Sequence, residues 1–277
     1  MAEQDLKIGG VRLNLSHFQE GETYSDGDVE EQLLNIVMTH SHYEEVLKDN
    51  SDWAILYHLH PMRENLLSWY NFTGREYALE IGAGCGALTG LLAQNCKKVI
   101  CSELSLRRSK INAYKNAEFD NVEIMVGNFS DVIFEQKFDI ITMIGVLEYS
   151  ASYIQSTNPY DYFLKKVRSL LKPEGKLIVA IENRFGLKYW AGCREDHTGR
   201  LFEGLEGYPN EKGICTFSRR KLELLLKEAG FANTSFYYPM PDYKLPLAVY
   251  SDERLPLEGE LVGAAPNYDM ERLITFS

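Results

Sequence analysis

The fourteen residues from Tyr77 to Gly90, YALEIGAGCGALTG, constrain the fold more than any other part of the chain. Five residues of strand character, Tyr77 to Ile81, run straight into glycines at 82, 84 and 86 and then into an apolar segment of helical length. Glycine has no Cβ, so the backbone there can turn sharply and come close to a ligand, and the helix that follows offers unpaired amides at its N-terminus. A strand that feeds a helix through such a turn belongs to a parallel sheet. The same residues also scan as GxGxxA through Gly82, Gly84 and Ala87, a spacing shared with dinucleotide-binding turns.

The rest of the chain agrees with an α/β fold. Short apolar runs at 77–81, 98–101, 122–126, 138–144 and 176–181 alternate with helical patterns at 86–94, 106–117, 159–171 and 218–229, the signature of βαβ units. Aromatic runs at 234–238 and 247–250 follow Gly230, so the spacing predicts a doubly wound, mostly parallel seven-stranded sheet that ends in an antiparallel hairpin. Ahead of it, residues 1–74 read as an N-terminal helical cover, with a short strand near Val11 to Leu15, an amphipathic helix after Asp28, and a second helix interrupted or restarted at Pro61. Residues 75–251 are the sheet domain. Within it, 183–217 is a Gly-rich and aromatic stretch without a period, the composition of an ordered lid. Residues 252–277 form a tail whose apolar ending, NYDMERLITFS, is consistent with a longer chain.

Two acids refine the ligand. Glu80 stands two residues before the first glycine, where a carboxylate suits an ammonium group and repels a pyrophosphate. Glu103 closes the second strand 23 residues further on, where a carboxylate can accept both hydroxyls of a ribose. With these in place, residues 75–250 resemble the class I S-adenosylmethionine-dependent methyltransferases, and the resemblance implies a Rossmann-like fold and that cofactor. Glu80, Gly82, Ala83, Gly84 and Gly86 match the motif that holds the methionine part, and Glu103 with Leu104 the ribose site. Asn128 and Phe129 lie where the family usually has an acid near the adenine amine; the amide oxygen of Asn128 can still accept that bond. Gly145 and Glu148, in the run DIITMIGVLEY, match the loop beside the methyl group. The runs ENRFGLKYWAG and FYYPMPDYKLP resemble methyltransferase domains of bacterial surface-polysaccharide gene products. That resemblance implies a small-molecule or glycan acceptor and a fused or associated glycosyltransferase.

Methyl transfer needs alignment and, for a hydroxyl or ammonium acceptor, a base. Glu148 and His197 are the candidates, His197 because imidazole titrates near neutrality. Arg63 is a candidate for the cofactor carboxylate. Tyr149 and Asn183 follow strand ends and are candidate pocket residues; Tyr237, Tyr238 and Tyr243 read as an apolar wall for a sugar or ring substrate or, at alternating strand positions, as core. Metal binding is not expected: the five cysteines form no CxxC pair, and the helical pattern and Pro61 put His58 and His60 on different faces. Forty acidic against 29 basic residues, a net charge of −11, exclude a nucleic-acid partner. No apolar run reaches the length of a membrane span and no signal peptide opens the chain, so the expected location is cytoplasmic. Two other readings stay open here: an NAD-dependent oxidoreductase, which shares GxGxxA and the ribose acid, and a non-catalytic cofactor-binding domain.

Overall fold

The computed structural model describes residues 5–20, 27–154 and 156–261; the terminal NYDMERLITFS segment and most of the turn expected at 20–28 lie outside them. The chain forms two compact units, Met1–Met143 with Leu170–Ile178, and Ile144–Ser169 with Val179–Ser277.

The first unit is built on a sheet of seven strands: β1 (Asp5–Ile8), β2 (Val11–His17), β3 (Tyr77–Ile81), β4 (Lys98–Glu103), β5 (Val122–Gly127), β6 (Phe138–Ile144) and β7 (Leu171–Ala180). Their order is β1-β2-β5-β4-β3-β6-β7. β3 pairs in parallel with both β4 and β6, and β4 with β5. Ala78 to Ile81 of β3 and Val99 to Glu103 of β4 are all buried, as continuous apolar strands must be when helices cover both faces. The order reverses beside β3: β4 and β5 lie on one side, β6 and β7 on the other. Ligands of open parallel sheets bind at the carboxyl ends of the strands at such a reversal, and here the carboxyl end of β3 is the glycine turn.

Seven strands, mostly parallel, are what the sequence predicts, but the hairpin at the sheet edge is a different one. β1 pairs antiparallel with β2, and β2 runs parallel to β5, so an N-terminal hairpin extends the sheet. The C-terminal strands instead form their own two-stranded sheet. Residues 1–74 are therefore a mixed element. After the hairpin come α1 (Val29–Thr39), α2 (Glu44–Asp49), α3 (Trp53–Leu59) and a 3-10 turn, Pro61–Leu66, with Pro61 at its first position. Leu33, Ile36 and Val37 of α1 and Ile55 and Leu59 of α3 form one buried cluster with Cys85 and Ile111. The remaining helices of this unit are α4 (Thr89–Asn95) and α5 (Leu106–Lys115), and Arg108 of α5 makes a buried 2.7 Å ion pair with Glu30 of α1.

The second unit holds α6 (Ser150–Tyr153), α7 (Pro159–Leu170), α8 (Leu187–Trp190), α9 (Glu203–Glu206), α10 (Arg219–Glu228) and the antiparallel pair β8 (Tyr237–Met240) and β9 (Ala248–Ser251). Ser218 caps α10 by accepting from the Lys221 amide, and Gly230 follows it with φ +93°. Residues 183–217, read from sequence as a lid, contribute Tyr189, Cys193, Glu195, Glu203, Tyr208 and Thr216 to this unit's interior. Among the described residues no helix is long and apolar enough to cross a membrane.

Candidate active site

The glycine turn is wound tightly. Gly82, Gly84 and Gly86 have φ of +67°, +54° and +77°, a region costly for residues with a Cβ. The Gly82 amide donates to the carbonyl of Ser102 at 2.8 Å, which ties the turn to β4. Glu103, buried at the end of β4, accepts from the Gly84 amide at 2.8 Å with one oxygen and from the Ser105 amide at 2.9 Å with the other. Burial pushes the Glu103 carboxyl up; the Ser105 amide, the Arg108 charge and the Gly84 amide oppose the shift. Each carboxylate oxygen keeps lone-pair capacity beyond these bonds.

Gly84 and Gly86 differ in their surroundings. A Cβ on Gly86 would lie 2.4 Å from Asn112 Oδ1, whereas one on Gly84 would meet nothing within 4 Å. Gly84 thus presents bare backbone to open space beside the Glu103 carboxylate. That is the cradle an adenosyl cofactor needs, so the residues present fit S-adenosylmethionine.

Glu80 departs from expectation in its partners. It is 5% exposed, and Oε2 accepts from the Thr89 hydroxyl at 2.6 Å and the Cys101 thiol at 3.5 Å. Thr89 in turn accepts from Asn112 Nδ2 at 3.0 Å, and Asn116 donates to Asn112 Oδ1 at 2.9 Å. Burial raises the Glu80 carboxyl to about 7 against the opposing pull of Thr89, Cys101, Arg63 and Lys115. The sequence reading missed Thr89, Asn112 and Asn116. The available signal was a pair of asparagines four apart, Asn112 in α5 and Asn116 at its C-terminal cap.

Arg63 is 3% exposed; it donates to the Tyr57 hydroxyl at 3.0 Å and stacks over that ring. Asn128 folds back on its own turn, its Oδ1 accepting from the Ser130 amide at 2.9 Å. Phe129 is buried against Phe134. Ala83 is buried and Leu104 half-buried on either side of the turn. His58 is buried in the last turn of α3, while His60 caps the 3-10 turn through Nδ1.

Gly145 belongs to the second unit. Its amide donates to the Ala180 carbonyl at 2.9 Å, and a Cβ there would come within 3.1 Å of the Tyr243 hydroxyl and 3.5 Å of Glu148 Oε1. It borders a buried cluster. His197 Nε2 lies 3.6 Å from Glu148 Oε1 and 3.7 Å from Glu182 Oε2, and Nδ1 lies 2.8 Å from Glu195 Oε1. The four side chains are between 1% and 6% exposed. Glu195 also accepts from the amides of His197 and Thr198 and from the Tyr208 hydroxyl, so the imidazole is held firmly. Lys244 Nζ donates to Glu182 Oε1 at 2.6 Å, with the Tyr243 hydroxyl at 3.3 Å. Tyr149 meets the His197 ring edge-on at 5.3 Å.

Burial alone would lower His197, but Glu148, Glu195 and Glu182 together raise it to about 10. Burial raises Glu148, with His197 opposing. Glu195, despite burial, is held near 2 by His197 and the backbone amides. The sequence singled out Glu148 and His197, and the structure places them together. It missed Glu182, Glu195 and Lys244, because Glu182 lies 34 residues from Glu148 and nothing local marks it. Asn183 is bridged to Phe217 on a neighbouring segment.

A glycine turn at the reversal of a parallel sheet, with a ribose-type acid on the next strand, defines an adenosyl-cofactor-binding α/β protein of the S-adenosylmethionine-dependent kind. The family model described as a methyltransferase domain matches residues 57–235, and the chain belongs to that family. It is 32% identical over 110 residues to the malonyl-acyl-carrier-protein O-methyltransferase of Priestia megaterium, a match covering 39% of this chain and only 38% of that one. It is 29% identical over 174 residues to the demethylmenaquinone methyltransferase of Tropheryma whipplei, covering 59% of this chain and 70% of that one. The crystal structure of an S-adenosylmethionine-dependent methyltransferase, possible histamine N-methyltransferase, from Thermotoga maritima superposes with a TM-score of 0.50 at 21% identity, covering 76% and 91% of the two chains, and shares the fold. The comparisons favour neither the oxidoreductase nor the non-catalytic reading.

Proposed function

We propose that the chain transfers a methyl group from S-adenosylmethionine to oxygen or nitrogen of a small-molecule or glycan acceptor. The observation that carries this is the Gly84 backbone, open on one side and hung on the Glu103 carboxylate on the other. When bound, the cofactor supplies a methyl carbon on a cationic sulfur. Glu103 would hold the ribose hydroxyls, the Gly82–Gly86 turn with Ala83 and Leu104 would receive the adenosyl and methionine parts, and Asn128 and Phe129 would border the base. Glu80, behind the turn, fixes it through Thr89 rather than reaching outward, and its charge pairs at longer range with Arg63.

Glu148 is assigned to activating the acceptor and His197, which its carboxylate neighbours hold protonated at neutral pH and so unable to serve as the expected base, to positioning Glu148, with Gly145 bordering them, on geometric grounds. They lie in one buried cluster, and Glu148 follows directly on the strand β6. The glycan preference and a fused or associated glycosyltransferase rest on the resemblance of ENRFGLKYWAG and FYYPMPDYKLP alone. The test is transfer of a tritium-labelled methyl group from S-adenosylmethionine to fractionated small-molecule and glycan pools. Label in a fraction, lost in Glu148→Gln, supports the reading. Cofactor binding without transfer to any pool would replace it with a non-catalytic role.

A further inference from the structure

The cluster around His197 contains more acceptors than donors. Nδ1 is committed to Glu195, which itself takes three further donors, two backbone amides and the Tyr208 hydroxyl. Glu182 Oε1 is committed to Lys244. What converges on the middle is His197 Nε2, Glu148 and Glu182 Oε2. Both Glu148 Oε2 and Glu182 Oε2 are buried with no hydrogen-bond donor, and Nε2 lies 3.6 Å from the other oxygen of Glu148, Oε1, and 3.7 Å from Glu182 Oε2, both too long for hydrogen bonds. A buried carboxylate oxygen without a donor is expensive, so such an atom requires an explanation.

One ligand atom from each of the three residues lies within 4.8 Å of the others. Donors bound at ~2.1 Å with tetrahedral angles sit ~3.4 Å from one another, close to the two spacings of 3.6 and 3.7 Å from Nε2 to the carboxylates. The surrounding shell has the matching pattern: a carboxylate on the far nitrogen of the histidine fixes its tautomer and aims Nε2 inward, and Lys244 on one oxygen of Glu182 aims the other. We propose that Glu148, Glu182 and His197 hold a divalent first-row transition cation. Two carboxylates neutralise its charge, the imidazole selects against calcium and magnesium, and a donor set of one imidazole and two carboxylates suits manganese or zinc. The cation takes the place of a proton on Nε2, and three protein ligands leave it an open position for water or an acceptor atom. The sequence gives no hint of this site because the donors lie 34 and 15 residues apart, outside any ligand-spacing pattern. The inference goes beyond the methyl-transfer reading, and cation binding is measured without cofactor.

The experiment uses the full chain, stripped with chelator and free of any affinity tag. Mn²⁺ is titrated by loss of its free electron-paramagnetic-resonance signal, and Zn²⁺ by calorimetry. One site of micromolar or tighter affinity is expected, weakened 10–100-fold by Glu182→Gln or His197→Asn and unchanged by His60→Ala. Should the cluster variants fail to fold, Mn²⁺ is added to the ¹⁵N-histidine-labelled parent chain, which has six histidines. Selective broadening of a single imidazole supports the site. No binding at millimolar metal, binding indifferent to both cluster variants, or even broadening of all the imidazoles overturns it.

Discussion

Gly84 and Gly86 share a left-handed backbone but answer to different constraints. Alanine at 84 meets only the cost of the positive φ, about 1 kcal/mol. At 86 it must also displace Asn112, whose amide bonds Thr89 and Asn116, so about 3 kcal/mol is expected. Denaturant unfolding should therefore rank Gly86→Ala as the more damaging to stability. Cofactor affinity should rank as severely affected by Gly84→Ala, whose methyl group fills the open face. Equal effects of the two substitutions on both readouts would contradict this division.

Glu80 makes a pH-dependent prediction whose sign follows from its burial. Its folded-state pKa of about 7 lies above the ordinary carboxyl value of 4.5. Below pH 4.5 both folded and unfolded forms carry the proton. As pH rises from 4.5 to 7 the unfolded chain releases it first, so stability is lost across that window. The full loss is about 3 kcal/mol for a shift of this size. Glu80→Gln stays neutral throughout. Its unfolding free energy relative to the parent should therefore rise between pH 4.5 and 7.5, by up to that amount; a difference independent of pH would mean that Glu80 is ionised in the fold.

At the scale of elements, the N-terminal hairpin is the decisive addition. β2 covers the edge of β5, and Leu13 in it is fully buried. Leu13→Asp should destabilise the chain by about 4 kcal/mol and bare a parallel edge, seen as a lower melting temperature with light scattering on heating. The sheet strands β3 to β6 were legible because each is a β-branched or apolar run, whereas β7 starts at Leu171, five residues before the expected run at 176–181, because its first half, LKPEGK, carries no apolar pattern. The destination of the two hairpins was not. β1 is four residues with alternating exposure, indistinguishable locally from a loop, and the aromatic alternation of β8 and β9 specifies a strand but not its partner sheet. The break between α1 and α2 was also hidden, since Ile36, Tyr43 and Leu47 keep a helical spacing across the polar run His40–His42.

For the whole molecule, the sequence revealed the site unevenly. The glycine turn is contiguous, so Gly82, Gly84 and Gly86 could be read from spacing, with Glu103 at the end of the next strand. The His197 cluster is assembled from segments brought together only by folding, and just two of its members stood out. The net charge of −11 predicts no salt-sensitive affinity for duplex RNA or DNA near physiological ionic strength, which an electrophoretic mobility assay checks. The central claim, that this chain binds S-adenosylmethionine through the Gly84–Glu103 pairing, is tested most directly by calorimetric titration of that cofactor into the parent chain and Glu103→Ala. The account predicts saturable binding to the parent and a loss of 10–100-fold in the variant, the worth of one or two charge-assisted hydrogen bonds. No heat of binding at millimolar cofactor, or equal affinity in the two chains, would contradict it.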